Sequence, residues 1–304
     1  MSVARKNKVI LFMTKKIAVI NDLSGFGRCS LTAAISVLSA MGVSACPLPT
    51  AILTAQTEYP SYYCDDYTDK MDIYRREWEK MGQKFDGIYT GFVASEAQIG
   101  HIFNFIRTFR TTDTFLLVDP VMGDDGITYD VFTPSLLNQM KKLALQADII
   151  TPNLTELCLL TDHDYHELIT ITDYHHLIDQ IQLLGEKLCQ MGPSHVIVTG
   201  IQFLNDEGVR SMGNLYISGN KHELVSFPYV GGSYSGTGDL FASCLVAGIA
   251  NNMDIPSIIR MAGTFLEYAL TDSVNEQIPE NDGVNYEKYL YLLIEHTRNS
   301  TTNK

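Results

Sequence analysis

Residues 85–118 decide the fold: Phe85-Asp-Gly-Ile-Tyr-Thr90 is a short apolar run, Ala97–Phe109 carries a helical pattern, and Phe115-Leu-Leu-Val118 is a second apolar run. A strand, a helix and another strand in that order describe a crossover that returns the second strand parallel to the first. The same alternation extends both ways. Upstream, Ile17–Asn21 and Val43–Leu48 read as strands around a helix over Leu31–Met41, and Met71–Met81 reads as a helix holding the only tryptophan, Trp78. Downstream, helices over Pro134–Gln146 and Asp173–Met191 alternate with strands over Asp148–Thr151 and His195–Thr199. The pattern then changes: Gly213–Ser218 and His222–Phe227, joined by Gly219-Asn220, read as a β-hairpin. Past residue 236 the chain reads as helical to its end. The expectation is an α/β fold, a three-layer αβα sandwich whose mostly parallel central sheet has an antiparallel edge hairpin. One domain over residues 16–297 is expected, with an N-terminal extension over 1–15 and a polar tail over 298–304.

Composition narrows the partners. The 304 residues carry 22 Lys and Arg against 35 Asp and Glu, a formal charge of −13, which argues against nucleic acid or an anionic membrane as the main partner. Arg5, Lys6 and Lys8 precede an apolar run over Val9–Met13, but that run is too short for a secretory leader and ends at Lys15-Lys16. No stretch approaches the roughly 20 apolar residues of a membrane span. Six scattered cysteines lack Cys-x-x-Cys spacing and suit a reducing compartment, so a cytoplasmic location is expected.

In open parallel sheets, ligands collect beyond the carboxyl ends of the strands. Those positions here hold Asn21-Asp22, Pro49-Thr50, Thr90-Gly91-Phe92, Asp119-Pro-Val-Met-Gly-Asp124, Thr151-Pro-Asn153 with Glu156, and Thr199-Gly200. Gly232-Ser-Tyr-Ser-Gly-Thr-Gly-Asp239 then runs straight into the apolar Leu240–Ala250. Gly236 and Gly238 permit a tight turn, and the amides that open the next helix favour an anion, with phosphate the natural guest. Asp239, in the first turn, is suited to accept a proton from an attacking hydroxyl. Asp119, Asp124 and Glu156 are hard oxygen donors of the kind a Mg2+–nucleotide needs. Each also has a plainer reading: Asp119 capping a turn before Pro120, and Glu156 in a capping arrangement on a surface helix.

Asp119-Pro-Val-Met-Gly-Asp124, Thr151-Pro-Asn-Leu-Thr-Glu156 and Gly236-Thr-Gly-Asp239 followed by Leu-Phe-Ala resemble, in order and spacing, the ribokinase-like superfamily. Within it the resemblance is to the pyridoxal (vitamin B6) kinases and hydroxymethylpyrimidine kinases, from about Lys16 to the last helix. The resemblance implies ATP-dependent phosphorylation of a hydroxymethyl group, with Asp239 as base and Gly236, Thr237 and Gly238 as the anion hole. It implies Asp119 and Glu156 organising Mg2+, with Asp124, Asn153 and Thr199 near the nucleotide phosphates and Val230 and Tyr234 on the adenine side. Asp22 and Thr50 would meet polar groups of a B6 vitamer, with Phe92 against its ring. Many closer pyridoxal kinases carry Ser near Asp22 and Tyr near Phe92, whereas Asp22-Leu-Ser-Gly-Phe-Gly is more similar to the pyrimidine kinases. A homodimer is also implied, and dependence on a monovalent cation is left open.

Three other readings fare worse. Gly25-Phe-Gly-Arg-Cys-Ser30 falls short of a dinucleotide fingerprint, and no acid occurs between Asp22 and Glu58 to bind a ribose. A noncatalytic vitamin binder would not need the full set of base and metal carboxylates. Asp162-His-Asp-Tyr-His166 matches no metal-ligand spacing and reads as a solvated loop. The Tyr-rich segment Glu58–Tyr67 reads either as a cover over the site or as a surface loop.

Overall fold

A computed structural model describes residues 14–295; the expected extension (apart from residues 14 and 15) and the polar tail lie outside the described residues. The β-branched run after Lys15 forms β1 (Lys16–Ser24), which is followed by α1 (Ser30–Ala40), the parallel neighbour β2 (Ser44–Leu53) and a short antiparallel β3 (Cys64–Asp66). Next come α2 (Thr68–Lys80), β4 (Gly87–Thr90), α3 (Glu96–Phe109) and β5 (Phe115–Val118), then a two-residue ribbon, β6 (Gly123–Asp124) with β7 (Ile127–Thr128). The chain continues through α4 (Pro134–Ala144), β8 (Ile149–Ile150), α5 (Leu154–Thr161), α6 (Tyr165–Ile169) and α7 (Tyr174–Met191). It closes with β9 (His195–Leu204), β10 (Arg210–Ser218), β11 (Lys221–Pro228), α8 (Thr237–Ala250) and α9 (Ile255–Asn275).

The central sheet has the order β11-β10-β9-β8-β5-β4-β1-β2-β3. From β9 to β2 the pairings are parallel, and both edges are antiparallel. Alternation along the strands feeds two cores. Ala18 and Ile20 of β1 pack with α2 to α7, whereas Ile17 and Val19 pack with α1, α8 and α9. This is the expected three-layer αβα sandwich with its edge hairpin, here β10–β11. The chain leaves β1 for β2 on one side and returns as β4 on the other, so the loops after β1 and β4 diverge and open a crevice.

Three details differ from expectation. A second antiparallel edge, β3, lies within the Tyr-rich segment, hydrogen-bonded to the end of β2. β9 does not stop at Thr199; it turns through Gly200, whose φ of +70° glycine tolerates, and runs on to pair with β10. The C-terminal stretch is not continuously helical: past α9 it contains single 3-10 turns at Glu280–Asp282 and Glu287–Tyr289, with Gly283 (φ +77°) between them.

Candidate active site

Six helices start on a side chain that accepts a backbone N–H; α8 does not. Its N-cap is Gly236 at φ +83°, and a Cβ there would stand 2.1 Å from the Arg28 carbonyl oxygen, so only glycine lets the chain enter the helix at this place. The Thr237 hydroxyl donates back to the Tyr234 carbonyl (3.3 Å). A Cβ on Gly238 would meet nothing within 4 Å, so the first turn of α8 borders open space. The amides of that turn have no partner within the helix, and the positive end of the helix lies at the opening.

Asp239 stands in the same turn. Its Oδ1 accepts from Asn21 Nδ2 at 3.0 Å, across 218 residues of sequence, which fastens α8 to the carboxyl end of β1. Although part of the residue is exposed, protein surrounds the carboxyl, and this desolvation raises its pKa to about 6. The charge of Asp22 adds to the rise; a Ser30 backbone N–H and the Asn21 amide oppose it. Asn21 is 1% exposed and its Oδ1 accepts from the backbone N–H groups of Asp22 (3.0 Å) and Phe92 (2.9 Å). The sequence places it among the strand-end residues beside the crevice but assigns it no role.

The second group gathers at the ends of β5 and β8 and beside the turn within β9. Buried Asp119 accepts from the Thr151 hydroxyl (2.8 Å), and burial, reinforced by the charge of Asp239, raises its pKa to about 7. Glu156 is 4% exposed; burial, then the charge of Asp119, pushes its pKa well up. Its two oxygens accept from the N–H groups of Met122 (3.0 Å) and Asn153 (2.9 Å), while Asn153 Oδ1 accepts from Glu156 N (2.9 Å). The capping arrangement is therefore real, but it starts a buried helix end rather than a surface one. Asn153 Nδ2 donates to the Gly123 carbonyl (2.8 Å) and reaches the carboxylate of exposed Asp124 (3.4 Å). Thr199 N–H donates to the Pro152 carbonyl (2.9 Å), which sets it beside Asn153.

These acids suit a hard divalent cation. Asp119, Glu156 and Asp239 each disfavour their charged form, and none has a Lys or Arg among its hydrogen-bond partners. Among the described residues no three His, Cys, Asp or Glu converge as a closed metal cage. Mg2+ seldom needs one, since waters and phosphate oxygens complete its shell.

The ring-side candidates meet at the crevice, though not all with free polar atoms. Asp22, expected against the substrate, has both oxygens engaged internally, by the Ser24 (2.8 Å) and Ser30 (2.6 Å) hydroxyls. The buried Thr50 hydroxyl donates to the Phe92 carbonyl (3.2 Å), and half-buried Phe92 is held at both ends of its backbone, by Thr50 and by Asn21. Half-buried Val230 lies on the segment leading to Gly236. Tyr234, expected to line the adenine side, is only 8% exposed and packs in the core between the sheet and α8, where burying the ring outweighs keeping it on the surface. The Tyr-rich segment is tied down beside the cradle. Gln56 Nε2 and Glu58 Oε2 hold the Ser235 hydroxyl (3.2 and 3.0 Å), Asn281 Nδ2 donates to the Glu58 carbonyl (2.9 Å), and Tyr59 donates to the Asp282 carboxylate. Tyr62 and Tyr63 remain exposed. The Asp162–His166 run, expected as a solvated loop, is a loop only over residues 162–164: Asp162 ends α5 in a left-handed conformation and pairs with Lys141, and Asp164 caps α6, whose first residues are Tyr165 and His166.

The fold that carries this site is shared with known proteins. The structure is similar to that of a Bacteroides thetaiotaomicron "putative phosphomethylpyrimidine kinase", at 34% identity and a TM-score of 0.85 over 94% of this chain and 96% of that one. A second crystal form of that description, containing pyridoxal, gives 35% identity and a TM-score of 0.81, over 92% of this chain and 96% of that one. Dictyostelium discoideum pyridoxal kinase is 23% identical over 288 residues, 90% of this chain and 92% of that one. A Schizosaccharomyces pombe "putative pyridoxal kinase" is 31% identical over 182 residues, 57% of this chain and 49% of the relative's length. The family profile described as phosphomethylpyrimidine kinase matches residues 26–282, from the loop after β1 to the turn past α9, and with that span the chain belongs to the phosphomethylpyrimidine kinase family, on the ribokinase-like fold.

Proposed function

We propose that this protein is a pyridoxal kinase: it transfers the γ-phosphoryl group of ATP to the 5′-hydroxymethyl oxygen of pyridoxal, pyridoxine or pyridoxamine. The observation that carries the reading is Asp239, a carboxyl with its pKa raised to about 6, set in the first turn of an uncapped helix at the mouth of the crevice. A relative 35% identical to this chain, crystallised with pyridoxal, supports the choice of vitamin.

Asp239 takes the hydroxyl proton as the substrate oxygen bonds to the γ-phosphorus and the bond to the ADP oxygen breaks. The amides of Gly236, Thr237 and Gly238 hold the negative charge of the transferred group, in an orientation fixed before reaction. Asp119 and Glu156 would hold Mg2+, with Asp124, Asn153 and Thr199 towards the nucleotide phosphates. When bound, Mg2+ neutralises charge on the β- and γ-phosphates. Asp22, through its serine bonds, shapes the loop under the ring rather than donating an oxygen to it, while Thr50 and Phe92 form the ring's wall. Val230 borders the adenine. A homodimer and a cytoplasmic setting complete the proposal. All six cysteines are free thiols, as a reducing compartment would keep them.

The second reading is hydroxymethylpyrimidine, with the same residues in the same roles, supported by the family's phosphomethylpyrimidine kinase description and by a Haemophilus influenzae hydroxymethylpyrimidine/phosphomethylpyrimidine kinase 27% identical over 161 residues. The test is ATP consumption with Mg2+ and each of pyridoxal, pyridoxine, pyridoxamine and hydroxymethylpyrimidine in parallel. Preferred turnover of a B6 vitamer is the expected result. Preference for the pyrimidine would move the protein to the second reading, and silence with all four would overturn both in favour of a noncatalytic binder or another alcohol.

A further inference from the structure

Asn21 joins the two halves of the site through one amide. Nδ2 donates to Asp239 Oδ1 (3.0 Å), and Oδ1 accepts from Asp22 N (3.0 Å) and Phe92 N (2.9 Å). The orientation of the amide follows from the partners, because backbone N–H groups can only donate and must face the oxygen. The amide packs against the Gly91 backbone: a Cβ on Gly91 would come within 2.4 Å of Asn21 Nδ2, so only glycine leaves space for the amide there. A donor is thus locked against Asp239. That donor suits a carboxylate and would meet a carboxylic O–H at the same oxygen donor to donor.

We propose that Asn21 is a positioning residue that holds Asp239 as a carboxylate and sets it at a fixed distance from the backbone carrying Phe92. The inference rests on the reading of Asp239 as the base. A Ser or Thr hydroxyl would not replace it, since its donor and acceptor sites share one oxygen, whereas the amide accepts two N–H bonds at Oδ1 and donates from a separate atom. The other titratable groups around Asp239 are Asp22 on β1, Asp119 after β5, Tyr89 on β4 and Cys29 ahead of α1. Burial raises the pKa of both Tyr89 and Cys29, so they stay neutral through the working range, and Asp22 adds a charge that Asn21 must counter.

The test is the pH dependence of vitamer-dependent ATP consumption in Asn21→Asp and Asn21→Ala. Asn21→Asp keeps an oxygen for Asp22 N and Phe92 N but loses the donor to Asp239. Its acid limb in kcat/KM should move up by about one pH unit or more, from about 6, with turnover at pH 7 down at least about twofold and recovering towards pH 8.5. Asn21→Ala should move the limb the same way with a smaller recovery, because it also frees Phe92; if the aspartate variant does not fold, the alanine variant decides. A purely structural asparagine would lower turnover equally at every pH and leave the limb in place, which would overturn the inference. Absence of turnover in the unmodified protein would instead overturn the reading of Asp239, so the two failures are separable.

Discussion

A carboxylate that must take a proton from an alcohol near neutral pH works best with a pKa not far below that pH, and burial brings Asp239 to about 6. Only the ionised form can act, so kcat/KM should fall as pH drops through about 6; a flat profile down to pH 5 would contradict the role. The raised values also affect stability. Asp239 and Asp119 hold protons in the folded state up to about 6 and about 7, where an ordinary aspartate releases them near 3.8. Between those limits the folded protein binds more protons than the unfolded chain, so stability falls as pH rises from about 4 to about 7 and levels off above. Thermal unfolding without ligand should therefore show this slope, and Asp119→Asn should flatten it; an unchanged slope would remove Asp119 from the explanation. Asp239, Asp119 and Glu156 were legible in the sequence as polar residues at strand ends and at a helix start. Asn21 was not singled out, because its importance comes from a bond spanning 218 positions, which no local pattern records.

Two glycines at the start of α8 do separate things. Gly236 is needed by the backbone, since its φ is +83° and a side chain would strike Arg28. Gly236→Ala should lower stability by about 1–3 kcal/mol in chemical unfolding, with activity falling alongside. Gly238 faces open space, so Gly238→Ala should leave stability equal or raised by up to about 1 kcal/mol, because alanine is the better helix former. It should nevertheless lose most of its turnover, as the methyl would stand where the phosphoryl group must approach. Normal turnover in Gly238→Ala would move the anion site elsewhere. At this scale the long elements were readable because their apolar period persists over several turns or residues. β3, the β6–β7 ribbon and α6 were missed because two to five residues carry no period, and they form through pairing and packing supplied by the rest of the fold.

The whole molecule is a sheet that delivers polar residues to one edge and apolar residues to both faces. The ends of β1, β4, β5 and β8 supply Asn21, Phe92, Asp119 and Asn153, the turn within β9 supplies Thr199, and α8 supplies Asp239. A net charge of −13 gives ATP no general attraction, so its phosphates depend on helix amides and a divalent cation. Among the described residues no helix is long and apolar enough to cross a membrane. The most direct test of the account is the initial rate of pyridoxal 5′-phosphate formation from pyridoxal and Mg-ATP, measured for the unmodified protein and for Asp239→Asn, with nucleotide binding followed by calorimetry. The account predicts phosphorylation at the 5′-oxygen by the unmodified protein, and a loss of at least about 100-fold in Asp239→Asn with nucleotide binding retained. Near-normal product formation by Asp239→Asn would contradict it.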